Sequence, residues 1–187
     1  MKIITLTLMI FSFNILANIG EDVDSIPHYK IYPKTPIVDY QETILDFYSV
    51  KDLYGEFSNF ALFPIFMDGL LWPSSEHYYQ AQKFFEPELK ELIRNAKTPF
   101  LAAQMARDPK MPLRDDWDDV KDGIMLNVVR VKINSYQVLK ELLKSTNQSS
   151  IYEHTKNDCY WADCLDRTGK NKLGKILEVV REEISAH

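Results

Sequence analysis

Residues 63–84 read Phe63-Pro-Ile-Phe-Met67-Asp-Gly-Leu-Leu-Trp72-Pro-Ser-Ser-Glu76-His-Tyr-Tyr-Gln80-Ala-Gln-Lys83-Phe, and this stretch decides the fold. Two apolar runs flank Asp68-Gly69, a dipeptide that tolerates positive φ at both central positions of a tight turn. The pattern predicts a β-hairpin. Pro73 then closes the strand, and the hydroxyl of Ser74 or Ser75 can cap a helix running to about Phe85. A short hairpin feeding a helix, rather than a series of alternating strands, points to a helix-dominated α+β domain with a small N-terminal β element.

The flanking sequence continues this reading. Upstream, Ile44-Leu-Asp-Phe-Tyr48 reads as a short strand. Downstream, residues 87–96 form a second helix, and Thr98-Pro99 offers a cap plus first-turn proline for a third ending near Arg107. Pro109 and Pro112 break the chain. Met125, Val128, Val129, Lys132, Tyr136, Leu139 and Leu143 recur at helical spacing, so one long helix is expected from Trp117 to Leu143. Residues 145–150 read as a polar loop. Leu173, Ile176, Leu177, Val180 and Ile184 share a face of a closing helix.

The chain has 187 residues, enough for one domain with some forty to spare, and a net charge of −5. That balance disfavours extended nucleic-acid binding, which rests on neutralising many phosphates. Aromatic residues make up 12% of the chain, enough for a sizeable core or a wall against a planar ligand. The first seventeen residues differ from the rest. Met1-Lys2 precedes an uncharged apolar run from Ile3 to Ala17, too short to span a bilayer comfortably and shaped like a secretory signal. The competing reading is a misplaced start or a buried apolar strand. Residues 18–43, with Pro27, Pro33 and Pro36, read as a tail or linker, and 44–187 as the folded domain. A cleaved signal implies a secreted or periplasmic protein without a stable membrane anchor, and otherwise the chain is cytoplasmic.

Three segments carry groups suited to chemistry. On a helix, Glu76, Gln80 and Lys83 fall at i, i+4 and i+7, placing a carboxylate, an amide and an ammonium on one stripe. Glu76 also suits the helix dipole. Trp72, Tyr78 and Tyr79 are able to stack on a base or to fill the core. The run Glu153-His-Thr-Lys-Asn-Asp158-Cys-Tyr-Trp161 gathers two carboxylates, an imidazole and two aromatics. Paired carboxylates serve glycoside hydrolysis, one stabilising charge or orienting water while another group assists departure; a polar loop packed on Trp161 is the alternative. The run Arg167-Thr-Gly-Lys170-Asn171-Lys-Leu-Gly-Lys precedes a helix and suits either a phosphate or a plain cap with solvated lysines. It lacks Walker A spacing. Trp117 sits within an acidic helix start. His28, His77, His154 and His187 are scattered and no zinc-finger spacing occurs, so no metal or cofactor is expected. Cys159 and Cys164 are able to pair outside the cytoplasm, which spacing does not establish.

In this order the segments resemble the NADAR (YbiA-like) family. The resemblance runs from about Ile44 to Ile184. It is carried by Asp46-Phe-Tyr-Ser, Tyr54-Gly-Glu-Phe-Ser-Asn59-Phe-Ala, Trp72-Pro-Ser-Ser-Glu-His-Tyr, Gln80-Ala-Gln-Lys-Phe, Pro112-Leu-Arg with Trp117, Glu153-His-Thr with Asn157-Asp and Tyr160-Trp, and Gly169-Lys-Asn with Leu173-Gly. The resemblance implies a single α+β NADAR/YbiA-like domain with N-glycosidase chemistry. Family members cleave ribose 5-phosphate from an aminopyrimidine in riboflavin-pathway intermediates; related ones remove ADP-ribose from modified guanine, and a non-catalytic nucleotide binder is a third reading. It implies Glu76, Asp158 and Trp117 as catalytic residues. Expected around a nucleotide-like substrate with a ribose phosphate are Asn59, Trp72, Gln80, Lys83, Arg107, Glu153, Trp161, Lys170 and Asn171, with Lys83, Arg107 and Lys170 toward phosphate from charge and neighbourhood. The chain departs from the family after Trp161, where Ala162 replaces the usual glycine.

Overall fold

Leu45 and Phe47 point inward from strand β1 (Ile44–Phe47), while Ile44 and Asp46 point out, the period-2 alternation of a half-buried strand. The computed structural model describes residues 43–186. These all fall in one compact unit. The expected signal at 1–17, and the tail at 18–43 apart from Thr43, lie outside the described residues.

After β1 comes a single 3-10 turn at Gly55–Phe57, which positive φ at Tyr54 introduces. The hairpin follows as expected. Strands β2 (Ile65–Met67) and β3 (Leu70–Trp72) pair antiparallel with Ile65 opposite Trp72. Asp68 and Gly69 both have positive φ, 54° and 77°, the conformation that the Asp-Gly pair allows. Trp72 seals the hairpin by donating from Nε1 to the Met67 carbonyl at 3.1 Å.

Helix α1 (Ser75–Ala81) is short and buried at every position. Of the two candidate caps, Ser74 takes the role, its Oγ accepting from the His77 N–H at 3.4 Å. Helices α2 (Pro87–Arg94) and α3 (Pro99–Met105) start at prolines, as expected for a residue that needs no N–H partner. Thr98 Oγ1 caps α3 by accepting from Leu101 N at 3.2 Å.

The single long helix expected over 117–143 is two helices. Helix α4 covers Trp117–Ser135 and α5 covers Gln137–Ser145. They part at Tyr136, which is extended at φ −130° and ψ 118°. Tyr136 is drawn out of the helix by tertiary contacts: its hydroxyl donates to the Pro64 carbonyl at 2.6 Å and its ring meets Phe63 edge-on at 4.9 Å. Asn134 and Ser135 take up the carbonyls of Arg130 and Val131, the local side-chain competition that these residue types bring to a helix.

The polar loop expected over 145–150 is shorter, because α5 reaches Ser145 and a fourth strand, β4 (Ser150–Glu153), begins at its far end. Strand β4 pairs in parallel with β1, Ile44 opposite Ser150 and Phe47 opposite Glu153. The β structure is thus not confined to the N-terminal part of the domain. Helix α6 (Lys172–Ser185) packs over β4. The approach is close enough that a Cβ at Gly174 would collide with the Ile151 carbonyl. Ile151, Leu177 and Val180 are fully or almost fully buried there, each such aliphatic side chain contributing about 1.5–3 kcal/mol.

Among the described residues no helix is long and apolar enough to cross a membrane.

Candidate active site

Helix α1, the Asn59–Phe60 segment, α4 and the chain following β4 enclose a cavity of about 730 Å³. Helical spacing delivers its first wall. Glu76 and Gln80 line it one turn apart on α1, and Lys83 joins them from the turn beyond the helix, which ends at Ala81 rather than near Phe85. The start of α1 is fixed by Asn59. The Asn59 carbonyl accepts from the Glu76 N–H at 3.2 Å, its Oδ1 accepts from Ser75 Oγ at 2.8 Å, and its Nδ2 reaches Met125 Sδ at 3.1 Å. Glu76 is therefore held at a helix N-terminus with its backbone tied to the opposite wall.

Strand alternation delivers a second carboxylate. Ile151 and Glu153 lie on the face of β4 that pairs with the inward residues Leu45 and Phe47, so Glu153 faces the interior and lines the cavity. Asp158 enters from the following loop. Its Oδ1 accepts from the Tyr160 and Trp161 N–H groups, both at 2.7 Å, and its other oxygen has no partner among the described residues.

Burial and neighbouring carboxylates raise the proton affinity of two of these carboxyls, Glu76 and Glu153. Burial pushes the Glu76 carboxyl above its ordinary value and Asp158 adds to the push; the Gln80 amide, Arg107 and Lys83 oppose it. Glu153 is pushed up to about 8, first by burial and then by the charges of Asp158, Glu76 and Asp163. At neutral pH it is mainly a protonated acid. Burial also lowers Lys83, which Glu76 counteracts and Arg107 reinforces.

The rest of the wall is aromatic. Tyr79 lies between Trp117, at 5.2 Å between ring centroids, and Trp161, at 5.5 Å and edge-on. Tyr160 continues the row against Trp161 at 5.0 Å. Lys83 and Lys121 sit over the faces of Trp117 and Tyr160 at 5.8 and 4.5 Å, close enough for cation–π attraction. Tyr160 is fixed from outside, its hydroxyl donating to Asp122, which also pairs with Lys172 at 2.8 Å. Such a wall accepts a flat base, and the carboxyls beside it suit a sugar that develops positive charge.

Asp163, fully buried, organises the loop that carries Asp158. It accepts from the Thr155 and Leu165 N–H groups at 3.3 and 2.9 Å and pairs with His154 at 2.7 Å. Arg167 spans from Asp163 to Asp46 on β1. Cys159 and Cys164 are bonded to each other, with Cα atoms 4.5 Å apart.

Of the expected site residues, Glu76, Asp158, Trp117, Asn59, Gln80, Lys83, Arg107, Glu153 and Trp161 line the cavity. Trp72, Lys170 and Asn171 are placed elsewhere. Trp72 is 2% exposed in the hairpin core, edge-on to Tyr78. Lys170 lies over Tyr160 at 4.8 Å without lining the cavity. Asn171 precedes α6 with φ 47° and binds the backbone of β4. The expectation passed over Tyr48, Phe60, Phe100, Lys121, Met125 and Leu173, which also line the cavity. Lys121 and Met125 follow Trp117 at i+4 and i+8, so the helix period was a usable signal for them. Tyr48 and Phe60 lie within the family-like motifs around Asp46 and Asn59, but no helical period marked them. Among the described residues no cluster of three or more His, Cys, Asp or Glu is placed to hold a metal ion.

Comparison with known proteins agrees with this architecture. The NADAR domain profile matches residues 46–185. The N-glycosidase YbiA of Escherichia coli (strain K12) is 46% identical over 145 residues, covering 78% of this chain and 91% of that one. A riboflavin biosynthesis protein of Vibrio vulnificus (strain YJ016) is 38% identical over 141 residues, which is 75% of this chain and 38% of that longer protein. The NMR structure of E. coli YbiA superposes with a TM-score of 0.76 at 42% identity, covering 84% of this chain and 94% of that one. With a single α+β domain, the Glu76 stripe and the Glu153–Trp161 segment folded about one cavity, the chain belongs to the NADAR domain family.

Proposed function

We propose that this N-glycosidase hydrolyses the bond between a ribose 5-phosphate and an aminopyrimidine, the bond found in early riboflavin-pathway intermediates, and releases ribose 5-phosphate. One observation carries the reading: Glu76, Glu153 and Asp158 converge on a single cavity whose remaining wall is the Trp117–Tyr79–Trp161 row. The names of the E. coli and V. vulnificus relatives support the reaction and the substrate class.

In the proposed reaction the base lies along the aromatic wall, and Lys83 and Arg107 hold the phosphate. The bond from the anomeric carbon to nitrogen breaks, its electron pair passing to nitrogen, which takes a proton from Glu153. Glu76 and Asp158 are the carboxylates available to stabilise the oxocarbenium-like sugar and to orient water. Water adds its oxygen to the anomeric carbon and passes one proton to whichever of them orients it. Lys170 lies outside the lining and has no part in this scheme.

Incubating the purified protein with the ribosylaminopyrimidine 5-phosphate and, separately, with ADP-ribosylated guanosine tests the reading. Release of ribose 5-phosphate from the first is expected. Release of ADP-ribose alone, or no release from either, overturns it. Location and substrate go together. If residues 1–17 direct export, which the Cys159–Cys164 bond supports because disulfides persist in oxidising compartments, the substrate is a different nucleotide glycoside outside the cytosol. A chain that stays in the cytosol meets the riboflavin intermediate. N-terminal sequencing of the mature protein decides between them: a start near Asn18 marks export, and an intact Met1 in the cytoplasmic fraction refutes it.

A further inference from the structure

Gln80 carries a buried acceptor that no described residue satisfies. The residue is 4% exposed and lines the cavity from the last turn of α1. Its Nε2 donates to Glu76 Oε1 at 2.7 Å, and its Oε1 is buried with no hydrogen-bond partner among the described residues. Buried polar atoms are rarely left in this state, because an unmade hydrogen bond forfeits the solvation it replaced. The carboxylate form, in which Glu76 serves the proposed reaction, only accepts, so it fixes which end of the amide faces it and aims the oxygen elsewhere.

The position of that oxygen restricts its partner. The nitrogen and oxygen of one amide are about 2.3 Å apart, so Gln80 Oε1 lies within roughly 5 Å of Glu76 Oε1 given their 2.7 Å bond. On the reading above, Glu76 faces the anomeric carbon. That carbon bears the ring oxygen, which cannot donate, the leaving nitrogen, and C2′ with its hydroxyl. The hydroxyl is the sugar's nearest donor, and it becomes a better one as positive charge grows on the neighbouring carbon.

We propose that Gln80 Oε1 accepts a hydrogen bond from the 2′-hydroxyl of the bound ribosyl group, so that Gln80 is the residue by which this site selects ribosides over 2′-deoxyribosides. The assignment rests on the N-glycosidase reading of the cavity. It makes one side chain serve two ends, its N–H holding the carboxylate and its C=O reading the sugar.

The test is a comparison of kcat/KM for matched ribosyl and 2′-deoxyribosyl aminopyrimidine 5′-phosphates in the wild type, Gln80→Met and Gln80→Glu. Deoxyribosides cleave more readily without any enzyme, so the quantity read is the change in the ratio between proteins. Gln80→Met is expected to lower riboside turnover roughly 100-fold and deoxyriboside turnover about tenfold or less, a ratio shift of about tenfold or more. Gln80→Glu keeps an acceptor oxygen there and is expected to hold the ratio within about threefold of the wild type. Both substrates meet the same sample, so partial unfolding lowers both rates and leaves the ratio untouched. An unchanged ratio in Gln80→Met overturns the proposal and assigns the oxygen to water or base instead. Calorimetric titration with ribose 5-phosphate and 2-deoxyribose 5-phosphate separates the two readings. A wild-type preference for ribose 5-phosphate of roughly tenfold, lost in Gln80→Met, supports the role of Gln80 even if neither glycoside is cleaved. Equal wild-type binding of the two, with an unchanged kinetic ratio, or binding of neither with no cleavage, refutes it.

Discussion

Asn171 Oδ1 accepts a hydrogen bond from the Glu153 N–H at 3.2 Å, joining the residue before α6 to the last residue of β4. Its Nδ2 donates to the Ile151 carbonyl at 2.7 Å, and its backbone holds the left-handed conformation at φ 47°, which asparagine tolerates better than most residues. Asn171 never reaches the cavity, yet it fixes the strand that delivers Glu153 there. Replacing it by alanine should cost about 2–4 kcal/mol, from two lost bonds to buried groups and a disfavoured φ. Asn171→Gly restores the backbone freedom without the bonds and should recover only part of that loss. Urea unfolding measures both. A glycine variant as stable as the wild type would refute the account.

Glu153 should set the alkaline side of the pH profile. Its carboxyl is pushed up to about 8 by burial and by Asp158, Glu76 and Asp163. It is protonated below that value and loses its proton as pH rises through it. As proton donor to the leaving nitrogen it is active only while protonated, so kcat/KM should fall about tenfold per pH unit above roughly 8. Glu153→Gln should lower kcat roughly 10²–10⁴-fold and flatten that limb. A profile flat to pH 10 excludes the role.

Glu76→Gln preserves shape and leaves Gln80 an acceptor, while removing the negative charge opposite the developing cation. Turnover should drop roughly 10²–10⁴-fold with substrate binding changed far less. Single-turnover kinetics beside equilibrium binding decides this. Full turnover in the variant removes Glu76 from the mechanism.

The contrast between these two carboxylates shows what the sequence made legible. Helical spacing put Glu76 and Gln80 on one stripe, but that position suited the helix dipole as well, and it was the family resemblance that singled out Glu76 as a catalytic carboxylate. Residue type and spacing also marked the hairpin at Asp68-Gly69. Glu153 was grouped correctly, but its orientation was not readable. It depends on β4, four residues long and paired with a strand about a hundred residues earlier, and no local period announces such a pairing. The break at Tyr136 was hidden for the same reason, since its cause is Pro64 and Phe63 across the fold. Trp72 misled the other way: an aromatic next to α1, it closes the hairpin and does not line the cavity.

Lys132 should give stability an alkaline slope. It is 1% exposed on α4, donates to the Ser58 carbonyl at 2.8 Å, and burial lowers its ammonium to about 7, with Glu56 opposing. Between about 7 and the ordinary lysine value the unfolded chain holds a proton that the folded chain does not. Unfolding free energy should therefore rise with pH across that window, by at most about 1.4 kcal/mol per unit. Lys132→Met should abolish the slope, and urea titrations at pH 7, 8 and 9 would show it. A wild type whose stability is flat or falling over that range contradicts the assignment.

The Cys159–Cys164 bond closes a loop containing Tyr160 and Trp161 and adjoining Asp158. Two lining aromatics and a lining carboxylate thus depend on one cross-link. Paired replacement by serine should cost about 2 kcal/mol of stability for so short a loop. The larger effect should be on activity, because the Asp158 carboxylate is held by the Tyr160 and Trp161 N–H groups, whose geometry the cross-link restrains. Thiol reductant should lower kcat in the wild type and leave the double-serine protein unaffected. The double variant separates reduction of this bond from any other action of the reductant. Equal turnover in the oxidised wild type, the reduced wild type and the double variant would show that Asp163 and its hydrogen bonds to the loop suffice to hold Asp158 in place.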